Sequence, residues 1–483
     1  MQLTGLAAKG ARWTTVSAAF AAMIQVLRLV VLARLLSPND FGLMAMAMIV
    51  IDTCQAYIDL GISAAIIHRQ DATKKQLSSL YWLNVFAGWA MFALVWLCVP
   101  LIVMLFKEQR VLPLLHVITL VLLIAPLGQQ FECLLQKELK FDTLAKQEIV
   151  SSILGFVTAV VLAVRGFGVW ALVFSVLTTV SVKALLLVGV GLMRFRPSLH
   201  FETSDLKGFL SFGLFQMGER VINFFSERLD QLLIGSMLGA NALGYYTFAF
   251  NLTAQPITRI NPIITRVAFP VFSKVQNDLD RLRRGYLRVL SFLTTINAPL
   301  LVGLGAVAPV AIPMIFGTKW VGSILLVQLL STVSLIRSTC NPIGSLQLAR
   351  GRADLGFHWN LFLLIASVPT IYIGGRVAQA TGVASALLLL QVVLVVPVYF
   401  FLVKPLIGEC GRAHAAAILK PTAAALAMGG ILLLLQSTHG GLAPALELVF
   451  LVTSGIGIYF LLVRVIDRTM LYEFRTVLLG TAG

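Results

Sequence analysis

The sequence predicts an all-α integral membrane protein of about fourteen transmembrane helices, arranged as two pseudo-symmetric bundles. Three observations predict it. The 483 residues are 58% hydrophobic and only 12% charged, with a mean hydropathy of +0.91, and that charge is about half the usual share for a soluble domain. Apolar segments long enough for a hydrocarbon core of ~30 Å recur along the chain. A short motif also returns at a constant offset in the second half. The composition excludes a disordered chain, a disulfide scaffold and an ordinary cytosolic enzyme.

The spans run 13–35, 41–66, 78–106, 111–132, 148–164, 169–193, 209–237, 242–273, 286–316, 321–347, 358–378, 381–404, 418–436 and 445–464. Several exceed one crossing, which implies tilt or kinking. They group into an N-terminal bundle over 1–193 (helices 1–6), a cytoplasmic connector over 194–208, a C-terminal bundle over 209–404 (helices 7–12), and two additional helices with a cytoplasmic tail over 405–483. Lysine and arginine test this order. With Arg288, Arg376, Lys404, Lys420 and Arg464, at span ends, counted with the adjoining loops, the loops placed in the cytoplasm carry 24 of the 37 and the opposite side only Lys107, Arg110, Arg165, Lys319 and Arg376; the remaining eight fall within spans. A miscounted helix would scramble that alternation, so the split places both termini inside. The net charge of +16 thus reads as orientation rather than nucleic-acid binding. The start, with Lys9, Arg12 and a long span without a small-residue cleavage site, reads as a retained helix. The outer loops are short, leaving no room for an extracytoplasmic domain. Cys54, Cys98, Cys133, Cys340 and Cys410 are scattered, with no CxxC, and the six histidines do not cluster. Neither a metal site nor a disulfide framework is expected, and no cofactor.

The repeat sets the architecture. Leu36, Asn39 and Gly42 match Leu238, Asn241 and Gly244 at an offset of 202, each set at an outer turn between an odd and an even helix. Lys9-Gly10 and Lys207-Gly208 open the first and seventh spans. Such parallel repeats are a transporter hallmark, with the substrate site between the halves.

Ionisable groups inside a span cost several kcal/mol unless they face protein or water. Here they are Arg28, Asp52, Lys183, Glu219, Arg220, Glu227, Arg228, Asp230, Arg259 and Arg337. Arg34 and Arg266 lie near span ends and can snorkel. Arg220 and Glu227, seven apart, share a helix face with Asp230 close by. Gln25 precedes Arg28 on one face, and Pro256 and Pro262 flank Thr258, Arg259 and Asn261. Internal salt bridges would account for part of this set. The basic excess points to an anionic ligand, because the arginine fork binds oxyanions bidentately and stays charged. Charge alone does not separate a phosphate from a sugar acid.

The stretch Leu-Ala-Arg-Leu-Leu-Ser-Pro-Asn-Asp-Phe-Gly-Leu-Met-Ala-Met (32–46) resembles the first hairpin of bacterial Wzx-type polysaccharide repeat-unit flippases, of the multidrug/oligosaccharidyl-lipid/polysaccharide exporter superfamily. Similar segments follow in order at 59–69, 135–141, 166–173, 228–235, 238–246, 269–276 and 344–354. The resemblance covers roughly residues 5 to 360 and is nearest the colanic-acid and exopolysaccharide branch; the last four spans match only in hydropathy. It implies a V of two bundles working by alternating access. The implied substrate is an undecaprenyl-pyrophosphate-linked oligosaccharide, moved from the inner to the outer leaflet of the bacterial inner membrane for exopolysaccharide, capsule or O-antigen assembly. A polymerase and a chain-length regulator would be partners. On depth and face, Arg28, Arg220 and Arg259, with Lys183 and Arg337, are the expected cationic lining for pyrophosphate or anionic sugar. Gln25, Asp52, Glu219, Glu227, Asp230 and Asn261 are expected as polar or ion-coupling groups, with H+ or Na+ coupling left open. A peptidoglycan-precursor flippase or a multidrug exporter of the same superfamily remains the near alternative. A membrane polysaccharide polymerase is the alternative of another class; it generally needs a sizeable outer loop or a carboxylate metal motif, and the lone Asp278-Leu279-Asp280 reads as loop charge.

Overall fold

The computed structural model describes the chain except residues 1, 59–65, 67–72, 207–209, 439–442 and 467–483; for 2–12, 14–19, 56, 210–227 and 466 it describes the backbone alone. The described residues form helices and no strand. In order these are α1 (Gln2–Leu35), α2 (Pro38–Ile58), α3 (Lys74–Phe106), α4 (Val111–Ile118), α5 (Leu120–Lys137), α6 (Phe141–Val164), α7 (Val169–Leu192), α8 (Leu210–Lys274), α9 (Leu279–Phe316), α10 (Ile324–Ala349), α11 (Ala353–Val398), α12 (Gly411–Thr438) and α13 (Pro444–Ile466). A short helix, Lys404–Ile407, lies between α11 and α12. Nine helical runs among the described residues are long and apolar enough to cross a bilayer. Leu97, Leu101 and Met104 of α3 stay exposed, as expected of side chains whose solvent is lipid.

Helices α3 and α6 begin several residues before the apolar spans expected there, at Lys74 and Phe141. Hydropathy marks only the hydrocarbon crossing, whereas backbone hydrogen bonding continues into the polar zone. At Lys74 a capping box sets the start: Thr73 Oγ1 accepts from the Gln76 amide and the Gln76 side chain accepts from the Thr73 amide. At α8, 65 residues would span far more than one crossing. It breaks at Gly239, whose φ of +82° is open to glycine at no steric cost. The break in α11 falls at Ala378 and Gln379. Both breaks sit at turns expected between spans.

The chain forms two compact units, 1–244 and 245–483. Their boundary lies within the long helix α8, beyond the connector expected at 194–208. The reason is local packing. Gly235 lies against Phe106, and the turn 240–244 lies against the turn 38–42, so the first part of α8 belongs with the N-terminal helices. Within that unit, α6 presents a buried face of small residues, Ser151, Gly155, Ala159 and Ala163. Helix α7 approaches closely there, and Ser175 Oγ donates to the Gly155 carbonyl at 2.8 Å. Small-residue faces and interhelical hydrogen bonds carry association where lipid removes the hydrophobic drive between helices. In the second unit, α9 buries Leu282, Tyr286, Leu290, Leu293, Asn297 and Leu301 at helical spacing. It packs on α10, α12 and α13.

Candidate functional site

Two sets of residues stand out, one in each unit. In the first unit, three helices each direct one charge to a common point. Lys183 of α7 places Nζ 3.1 Å from Glu132 Oε1 of α5 and 3.4 Å from Glu148 Oε2 of α6. The cluster borders a cavity of about 350 Å³ lined by Gln55, Pro126, Gln129, Glu132 and Lys183 among apolar neighbours. Pro126 cannot donate to the Leu122 carbonyl one turn earlier, and Leu122 is in the cavity wall. Lys183 was expected from the sequence as cationic lining, but its two carboxylate partners were not. Glu132 closes one apolar span and Glu148 opens the next, so both read as interfacial charges.

Elsewhere in this unit, Arg228 Nη2 lies 3.4 Å from Asp52 Oδ2 and Nη1 donates to Gln231 Oε1 at 3.1 Å, joining α8 to α2. Asp230 is buried and accepts from the Gln231 amide at 2.7 Å. Arg28 is half-buried on α1, seven residues before its end at Leu35, or ~10 Å along the axis. No hydrogen bond or ion pair to another described residue holds its guanidinium. Gln25, one turn earlier, is exposed. Glu219, Arg220 and Glu227 lie on α8, and their side chains fall outside the described residues.

In the second unit, Arg259 is exposed on α8, while Arg337 is half-buried on α10 with no carboxylate partner among the described residues. Asn261 is buried rather than open, with Oδ1 accepting from Asn297 Nδ2 at 2.9 Å. The charged and polar residues expected from the sequence are thus divided between the two units.

The sequence gives no sign of a cavity among the described residues of the second unit. It measures about 580 Å³ and lies between α8, α9, α12 and α13, lined by Pro256, Pro299, Gly303, Met428, Gly455 and Tyr459 with further aliphatic side chains and no charged one. Its apolar character has a backbone cause. Pro299 leaves the Thr295 carbonyl without its helical donor, and the Tyr459 hydroxyl of α13 supplies one at 3.0 Å. A carbonyl that would otherwise face the cavity is therefore paired.

A family profile described as polysaccharide biosynthesis protein matches residues 31–325. The lipopolysaccharide biosynthesis protein WzxC of Escherichia coli K12 is 34% identical over 414 residues, covering 86% of this chain and 84% of that one. The teichuronic acid biosynthesis protein TuaB of Bacillus subtilis 168 is 33% identical over 463 residues, 95% and 96% of the two chains. Among solved structures, the lipid II flippase MurJ in an inward closed conformation superposes with a TM-score of 0.77 at 14% identity, covering 95% of this chain and 99% of that one. An inward-facing MATE family transporter gives 0.62 at 17% identity, with coverage of 83% and 96%. The structural likeness establishes a transporter fold; the sequence likeness, reaching into the last helices, establishes more. The chain belongs to the polysaccharide biosynthesis protein family, as a Wzx-type member of the exporter superfamily, and its place is among transporters rather than catalysts.

Proposed function

We propose that the protein flips undecaprenyl-pyrophosphate-linked oligosaccharide repeat units from the inner to the outer leaflet of the bacterial inner membrane, with both termini cytoplasmic. The units would feed a polysaccharide polymerase and its chain-length regulator. The observation that carries this reading is Arg28, a half-buried guanidinium at membrane depth that no described carboxylate neutralises. A cation kept there unpaired is costly, and a ligand oxyanion would offset the cost through a bidentate, charge-assisted contact. Arg337 supports the same reading from the second unit. The uncharged cavity beside α13 supports a lipid substrate, since its walls suit part of a polyprenyl chain and offer nothing to a hydrated solute. The relatives act in lipopolysaccharide and teichuronic acid biosynthesis by their names, which favours a polysaccharide precursor over a drug.

The test follows lipid-linked oligosaccharide in cells lacking the protein, with sidedness read in spheroplasts by an impermeant glycan-binding probe. Repeat units are expected to accumulate on the inner face. Wild type should restore export and Arg28→Ala should fall short by roughly tenfold or more, the worth of one charged contact. Unpolymerised units on the outer face would sink the flippase reading in favour of polymerisation.

A further inference from the structure

On the side that the charge alternation assigns to the cytoplasm, two loops leave large apolar side chains open among cations. In the turn between α5 and α6, Leu139 is exposed between Lys137 and Lys140. After α7, Met193 is 86% and Leu199 93% exposed, with Phe201 also exposed and Arg194 and Arg196 interleaved. We propose that this inner rim of the N-terminal unit is a membrane-surface anchor. Leu139, Met193, Leu199 and Phe201 enter the acyl boundary of the inner leaflet, and Lys137, Lys140, Arg194 and Arg196 meet the phosphates of anionic phospholipids. Such an anchor is independent of what the protein carries.

The segment 195–202 carries no helix and is bonded to the start of α3. The Ser198 amide donates to Ser78 Oγ at 3.1 Å, the Glu202 amide to Ser79 Oγ at 3.2 Å, and Trp82 Nε1 to the Ser198 carbonyl at 2.9 Å. Ser79 Oγ donates in turn to Asp205 Oδ2 at 2.8 Å, which His200 Nε2 meets at 3.0 Å. Ser198, His200 and Glu202 thus make the bonds, while Leu199 and Phe201 between them stay open. A period of two is that of an extended chain, so the apolar pair shares one side and the bonded residues the other. The bonds also set a depth. From Ser78 to the α3 end at Phe106 is about 42 Å at ~1.5 Å per residue. That matches a whole bilayer with its headgroups, ~40–45 Å, rather than its ~30 Å core. Residues 198–202 are therefore level with the inner headgroup zone, where a tryptophan such as Trp82 is at home. Apolar side chains at that level reach the acyl boundary.

Leu139 supplies an independent observation. Its φ is +57°, a region that penalises a leucine and that helix ends usually give to glycine. An exposed leucine gains nothing from it in water, whereas at the acyl boundary its side chain leaves water. Glu138 joins this turn to the segment after α7: its Oε2 lies 2.6 Å from Arg194 Nη1 and 3.1 Å from Lys140 Nζ. The rim sets four cations against that one carboxylate, an excess of +3. Close by, Glu202 and Asp205 are equalled in number by Lys74 and Lys75, and Asp142 by Lys146. Sorting of basic residues to the inner side accounts for the cations alone. It does not set four open apolar side chains among them. Cations beside inserted apolar groups suit the negative surface of the inner leaflet. Up to Leu206, the connector is then a fixed part of the N-terminal unit rather than a slack cytoplasmic linker.

The test places a nitroxide at Leu199→Cys, Phe201→Cys or Asn277→Cys in the full-length protein, with the five native cysteines replaced by alanine and the fold checked by size-exclusion chromatography. Asn277, exposed in the loop between α8 and α9, is the water-facing control. In phosphatidylglycerol liposomes, the ratio of oxygen to nickel-chelate collision rates should be several-fold higher at 199 and 201 than at 277. In phosphatidylcholine liposomes the difference should shrink. The unmodified protein gives a reading that needs no variant: amides of 195–202 should exchange with deuterium several-fold more slowly in phosphatidylglycerol than in phosphatidylcholine nanodiscs. Equal collision ratios at 199, 201 and 277 would overturn the anchor, and so would exchange indifferent to the lipid. Equal insertion in the two lipids would overturn it too, because the cations would then contribute nothing.

Discussion

Glu108 and Arg110 sit in the turn between α3 and α4, with Arg110 Nε 2.8 Å from Glu108 Oε1 and Nη2 reaching Asn39 at 3.4 Å. The hydrogen bond from Arg110 holds the Glu108 carboxyl below the ordinary carboxylate value. Its contribution is therefore present above that ordinary value and lost as pH falls through the depressed one. With Arg110 59% exposed, the contribution is small, about 0.2–1 kcal/mol. The Asp52–Arg228 pair obeys the same chemistry at membrane depth. Asp52→Asn leaves a half-buried guanidinium without its charge partner and should cost roughly 3 kcal/mol, against less than ~1 kcal/mol for Glu108→Gln. Denaturation of the purified protein in detergent at neutral pH measures both, and equal losses would refute the distinction. The in-span charges were legible in the sequence because hydropathy isolates them. Their pairing was not, because Glu132 and Lys183, or Asp52 and Arg228, meet only through folding.

The repeated turn has a structural counterpart at the scale of elements. A Cβ on Gly42 would overlap the Ala240 carbonyl, and a Cβ on Gly244 would overlap the Pro38 carbonyl. Since 38 and 240 share the offset that relates 42 and 244, each turn treats the other as it is treated. That reciprocity is what a local two-fold relation between the repeats requires. It explains why glycine stands at both positions: the backbones touch where a side chain would go. Gly42→Val should force the turns apart and lower the melting temperature by several degrees, about 1–3 kcal/mol of overpacking. Gly189→Val, on α7 with open space around it, is the control and should change little. A melting temperature unchanged by Gly42→Val would remove the contact. The turn motif and the helix breaks were readable because glycine and polar residues punctuate apolar runs. The α13 cavity was not, because it depends on Pro299 and Tyr459 meeting across two helices.

For the whole molecule, the apolar spans and their charge alternation made the membrane class and helical architecture legible, whereas the boundary of the compact units was not, since long-range packing within α8 decides it. The proposed substrate, a pyrophosphate diester, would carry two negative charges outward from a negative interior, which the membrane potential favours by ~4.6 kcal/mol per 100 mV. Proteoliposomes holding a short-chain pyrophosphate-linked oligosaccharide, with potential set by a potassium gradient and valinomycin, test this through the leaflet ratio at steady state. Two charges give roughly a thousandfold bias per 100 mV, already close to complete, so the discriminating range is a few tens of millivolts. There the ratio should rise about tenfold for every ~30 mV. A ratio indifferent to potential would show that export is balanced by a compensating flow of cations outward or anions inward, and would end the case for the potential as the driving force.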